Sequence, residues 1–219
     1  MNVPGKKYST VTTGNNAPFF AIYTKPEKGE AQTTLLAGAL YDQEYLHYEG
    51  RPVNHHGLPR FKNSSFDAAY PFGQVHLSDK EIPVEVTVKG FNPLVPGDAE
   101  ASGIPIAVLC YEVTNTSQTP VDVSICGSIR NFIGKDGSKF VTDWKGDYIP
   151  VGSKDNRNIY KSAQGLQGIY FCSEGVEKTD PAYGNMTLVT NAPEGVTYRT
   201  SSKADDWSNG ILGFWDDFS

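Results

Sequence analysis

Apolar and polar positions alternate with a period of two through much of this chain, the signature of strands with one buried and one wet face. The clearest case is EIPVEVTVKGF (81–91). Ile82, Val84, Val86 and Val88 share one face, and Glu85, Thr87 and Lys89 the other. VDVSICGSIRNF (121–132) repeats the pattern, with Val121, Val123, Ile125 and Ile129 inward and Asp122, Ser124, Ser128 and Arg130 outward. IPIAVLCYEVTN (104–115) is apolar on both faces until Glu112, which predicts a central strand covered on both sides. PFFAIYT (18–24) and QTTLLAGAL (32–40) read as the first strands, and YPFGQVHLSD (70–79) as the one before Glu81. Later strands are predicted at 158–163, 168–173, 185–191 and 195–201. The polar, His-bearing stretch 41–68 reads as a long loop, and Asp136-Gly137 as a hairpin turn. The expected core is Ile82, Val84, Val86, Ile106, Val108, Val121, Val123 and Ile125.

Turn signals recur at roughly 8–15-residue spacing, and no segment keeps a helical period. The 22 glycines and 14 prolines suit many short strands. The predicted fold is therefore all-β: an antiparallel β-sandwich, forming one domain over 1–219. Pro93 and Pro96 cannot donate to a ladder and predict a crossing segment between sheets. Pro105 suits a strand start, and Asn115 a strand end.

Composition removes several function classes. Net charge is −6, with no run of Lys and Arg, so no nucleic-acid partner is expected. No apolar stretch approaches the ~18–20 residues of a spanning helix, and no transmembrane segment is expected. The first residues, MNVPGKKYSTVTTG, lack the apolar stretch of a signal peptide, and the localisation is left open. Cys110, Cys126 and Cys172 have no metal or redox spacing and read as buried free thiols. His55 and His56 are adjacent, a poor geometry for one metal, and His47 and His76 stand apart. No cofactor, metal or cofactor-binding residue is predicted.

Candidate chemistry is sparse. Asp98 with Glu100, Asp205 with Asp206, and Asp216 with Asp217 are formal carboxylate pairs. Each lies in a polar, turn-like context that would not raise one pKa selectively, so no catalytic residue is assigned. Trp144, Trp207 and Trp215 sit in polar surroundings. Their rings could stack on sugar or dock a partner domain. Sequons occur at Asn63, Asn115 and Asn185.

The block YPFGQVHLSDKEIPVEVTVKGFNPLVPGDAEASGIPIAVLCYEVTNTSQTPVDVSICGSIRNFIG (70–134) carries a resemblance. An aromatic-Pro strand leads to Pro83-Val84-Glu85-Val86. Phe91-Asn92-Pro93-Leu94-Val95-Pro96 makes a Pro-x-x-Pro turn. Gly103-Ile104-Pro105-Ile106 opens a strand ending at Asn115, and Val121-Asp122-Val123-Ser124 runs on to Arg130-Asn131 and Gly134. Together with Ala17-Pro18-Phe19-Phe20 and Gly57-Leu58-Pro59-Arg60-Phe61, this order resembles the N-terminal domain of glycoside hydrolase family 116, the non-lysosomal glucosylceramidase and β-glucosidase group. The resemblance covers most of 15–135 and thins afterwards.

It implies a non-catalytic, supersandwich-like and incomplete β-sandwich from a retaining enzyme that cleaves β-glucosides without a cofactor. Its partner would be the catalytic (α/α)6 domain of the same parent, where the nucleophile Glu and acid/base Asp reside. Nothing in this chain matches that domain. Met1 looks like an internal methionine, and WDDFS looks mid-domain, so a truncated fragment, inactive alone, is expected. The rival readings are a free-standing carbohydrate-binding jelly-roll module, with carbohydrate as partner, and an interaction sandwich without sugar chemistry.

Overall fold

The structure, a computed structural model, describes residues 19–40, 46–47, 51–52, 58–144, 146 and 148–201. Their regular structure is nearly all strand. In chain order these are β1 (Phe19–Pro26), β2 (Gln32–Gly38), β3 (Leu46–His47), β4 (Arg51–Pro52), β5 (Arg60–Phe61), β6 (Asn63–Ala69), β7 (Phe72–Ser78) and β8 (Val84–Phe91). After a single helical turn, α1 (Ala99–Ser102), come β9 (Val108–Asn115), β10 (Val121–Ser128), β11 (Phe140–Thr142), β12 (Tyr148–Pro150), β13 (Asn156–Ala163), β14 (Leu166–Ser173) and β15 (Met186–Thr190). They fall into two compact units. Phe20–Tyr41 with His55–Cys126 form one; the other holds β3, β4 and the described residues from Gly127 on.

The first unit is a sandwich of two sheets, ordered β10–β1–β2–β5 and β6–β7–β8–β9. The second sheet is an antiparallel meander in which Phe66, Val75, Val88 and Tyr111 form one cross-strand row. Side chains in such a row point the same way, and so do those of alternate rows. Leu77, Val84 and Val86 therefore face inward, where they meet Ile22 of β1 and Phe61 of β5. The alternation read in 81–91 is this core face. β2 and β5 pair in parallel, a local exception within an otherwise antiparallel fold. Asp79 fixes the turn into β8: its carboxylate accepts from the backbone N–H of Lys62 and of Glu81.

The structure corrects several expectations. Ile82, Val84 and Val86 are buried, and Val121 packs partly against them. Ile106 is 50% exposed and Val123 37%, and Val108 and Ile125 are exposed too. The reason is position: β9 and β10 each lie at the end of their sheet's strand order. The apolar run 104–111 implies burial on both faces, but only one face of β9 meets the other sheet. The stretch 41–68 is not a loop throughout, since it contains β3 to β6. Asp136-Gly137 turns the chain ahead of β11 and closes no hairpin. Residues 195–201 form no strand. That segment is held by side chains instead: Tyr198 stacks on Tyr160 at 4.0 Å, and Asn158 donates to the Thr200 carbonyl.

The second unit contains the antiparallel sheet β13–β14–β15 and the separate ribbon β11–β12. β13 and β14 pair in full register from Asn156↔Ser173 to Ala163↔Leu166. The two loop residues, Gln164 and Gly165, both have positive φ, 53° and 77°, as a type I′ hairpin turn requires.

Candidate functional site

Aromatic side chains gather on the β11–β12 ribbon. Phe140 pairs with Pro150, Val141 with Ile149 and Thr142 with Tyr148. Alternation puts Phe140 and Tyr148 on one face and Val141 and Ile149 on the other. The two rings meet edge-on, with centroids 4.7 Å apart at 88°. Trp144 sits in the connecting turn, which the Gly146 N–H closes by donating to the Asp143 carbonyl. Trp144 is 88% exposed, Tyr148 72% and Phe140 54%. Phe140 and Tyr148, set edge-on, make no flat, coplanar platform of the kind that would receive a sugar face.

The base of the ribbon is anchored. Val151 N–H donates to the Lys139 carbonyl, and Lys139 Nζ lies 3.3 Å from Asp180 Oδ2. Gly134 and Gly152, with φ of +86° and +119°, bring two backbone segments together so closely that a Cβ on Gly152 would lie 2.4 Å from the Gly134 carbonyl oxygen. Asn131 ties the neighbouring strands. Its Nδ2 donates to the Arg157 and Cys172 carbonyls, and its Oδ1 accepts from Ile133 N–H and Asn156 Nδ2. Ser153 Oγ donates to the Ile133 carbonyl.

A second polar constellation lies on the outer face of β6–β9. His76 Nε2 is 3.0 Å from Asp67 Oδ2, and its Nδ1 is 3.1 Å from Thr87 Oγ1. Lys89 pairs with Glu112 alongside. Cross-strand register alone brings these groups together, on an open face. His76, read as standing apart, is thus part of a hydrogen-bonded row.

The carboxylate candidates resolve simply. Asp98 caps α1, its Oδ1 accepting from Ala101 N–H, with Glu100 in the first turn. Asp136 is held below the usual carboxylate range by its hydrogen bonds to Ser138. Asp180 is held low by the Ala182 backbone N–H and then by Lys139. A general acid needs the opposite shift. Cys110 is exposed and Cys126 and Cys172 half-buried, so the expectation of three buried thiols fails. Asn63 and Asn185 are exposed, whereas Asn115 spends its amide on the Thr119 carbonyl. Trp207, Trp215, Asp205, Asp206, Asp216, Asp217, His55 and His56 lie outside the described residues, as does the side chain of His47. Among the described residues no helix is long and apolar enough to cross a membrane.

Fold and site define a class: an all-β sandwich protein with an exposed aromatic ribbon. Residues 2–219 match the family model described as beta-glucosidase 2, glycosyl-hydrolase family 116 N-term. The chain belongs to this family, and the match runs well beyond the resemblance in residues 15–135. Among curated proteins no match is found.

Proposed function

We propose that this chain is the non-catalytic N-terminal β-sandwich of a glycoside hydrolase that cleaves β-glucosides, and that it packs against and supports the catalytic (α/α)6 domain of the same parent. The observation that carries the reading is the family match over residues 2–219, which spans both compact units and so favours one functional domain. Two chemical facts support it. Asp98 is occupied as a helix cap, and Asp136 and Asp180 are shifted away from general-acid behaviour.

The test is an assay of pure chain with an aryl β-glucoside and with glucosylceramide, beside the parent polypeptide. Turnover is expected from the parent and none from the chain. Hydrolysis by the pure chain that vanishes on mutating one of its own acidic residues would overturn the proposal.

A further inference from the structure

A two-stranded ribbon on its own is at best marginally stable in water, because neither face is covered. Among the described residues β11–β12 is such a ribbon, and both of its faces are apolar: Phe140 and Tyr148 on one, Val141 and Ile149 on the other. All four side chains are exposed, and Trp144 extends the apolar surface to the tip. At about 150–250 Å² for a whole aromatic side chain, the uncovered apolar area is on the order of 500 Å². That approaches the lower end of interfaces between domains of one chain, roughly 600–1,500 Å².

The root of the ribbon is held by several contacts, while Trp144 at its tip is 88% exposed. The Gly134–Gly152 backbone contact, the Lys139–Asp180 pair and the Ser153 bond to Ile133 hold the root. A rooted projection with apolar residues on both faces suits insertion between surfaces of a partner better than flat docking.

We propose that the β11–β12 ribbon is the element that inserts into the catalytic portion of the same polypeptide, with Trp144 as its buried anchor. This rests on the reading above that a catalytic domain adjoins the chain. The occupant follows from the family match: the model describes an N-terminal portion, so the remainder of the parent is the body tethered beside the ribbon at high effective concentration. Trp and Tyr, moreover, are the residues that dominate the centres of protein interfaces.

The experiment places a thiol at the tip of the parent enzyme, by Trp144→Cys and separately by Tyr148→Cys, with Lys161→Cys as an exposed-strand reference. Each is labelled with a bulky maleimide and mapped by peptide mass spectrometry. In monomeric parent, the thiols at 144 and 148 are expected to react at least about tenfold more slowly than that at 161, and as fast as it after denaturation. Equal reactivity at all three sites overturns the inference. If the catalytic domain still co-migrates with this domain after linker proteolysis, the broader reading survives that failure; if the two separate, both fall. Protection that appears only at high protein concentration would assign the ribbon to a second copy, and protection only with added oligosaccharide would assign it to sugar. Either result also overturns the inference.

Discussion

At the scale of single residues, burial separates side chains that look alike in the sequence. Leu77 and Phe61 are fully enclosed between the two sheets, whereas Ile106 and Val123 are substantially wet. Leu77→Ala should cost about 2–5 kcal/mol and Phe61→Ala about 3–5 kcal/mol, because each leaves a cavity. Ile106→Ala and Val123→Ala should each stay within about 1 kcal/mol, since little area leaves an apolar environment. Urea titrations of the four variants decide this, and equal losses at all four would contradict the core assigned here. Tyr111 offers a sharper case. Its hydroxyl is buried without a hydrogen-bond partner, and burial raises its pKa well above the ordinary 10.0. In the unfolded chain the phenol ionises near that ordinary value; in the folded chain it keeps its proton. The folded state therefore binds more protons at high pH, and stability should fall as pH rises through about 10 and beyond. Tyr111→Phe should flatten that alkaline slope. It should also raise stability near neutrality by about 1 kcal/mol, since an unsatisfied buried hydroxyl is a cost. Parallel denaturation curves at pH 7 and pH 11 measure both effects.

At the scale of elements, the strongest period-two segments, β8 and β14, were legible because one of their faces is covered. β6 was not. NSSFDAA is polar at most positions and exposed along its whole length, so its strand state comes from ladder bonds to β7 and leaves no hydrophobic pattern to read. β11 and β12 have three residues each, too short to show a period. The site was half legible for the same reason. Trp144 stood out by its polar neighbours, but the pairing that sets Phe140 beside Tyr148 is a register, which spacing alone does not reveal. The signal for α1 is Asp98 with Gly103 four residues beyond Ala99, an N-cap and a stop around a helix too short to show a period. The β13–β14 turn was missed because Gln-Gly is not among the usual type I′ pairs. Asn tolerates positive φ better than Gln, so Gln164→Asn should stabilise the protein by a few tenths of a kcal/mol, on the order of 0.5. A thermal melt that drops instead would show the Gln164 side chain contributing a contact of its own.

At the scale of the whole molecule, the two sheets of the first unit enclose a core but leave an edge that invites pairing. Among the described residues β9 has no strand on its outer side, so its free N–H and C=O groups form a template for another chain. Protected edges carry lysines, prolines or bulges. β9 reads VLCYEVTN, with Glu112 its single charge, and that charge is matched by Lys89 of β8. Ile104, Ile106, Val108 and Leu109 add exposed apolar surface at its start. At ~25 cal/mol per Å², about 300 Å² of such surface left wet forfeits about 7 kcal/mol, comparable to a domain's whole margin of stability. The bare chain should therefore self-associate at micromolar concentration and bind a hydrophobic dye, and the catalytic portion of the parent should suppress both. Val108→Lys puts a charge on the outer face of the edge, where pairing would have to desolvate it. It should shift the population towards monomer while leaving the far-UV CD spectrum unchanged. Light scattering showing a compact, cooperatively melting monomer of the unmodified chain, without dye binding, would refute the argument and mean that the edge is covered by residues of this chain itself.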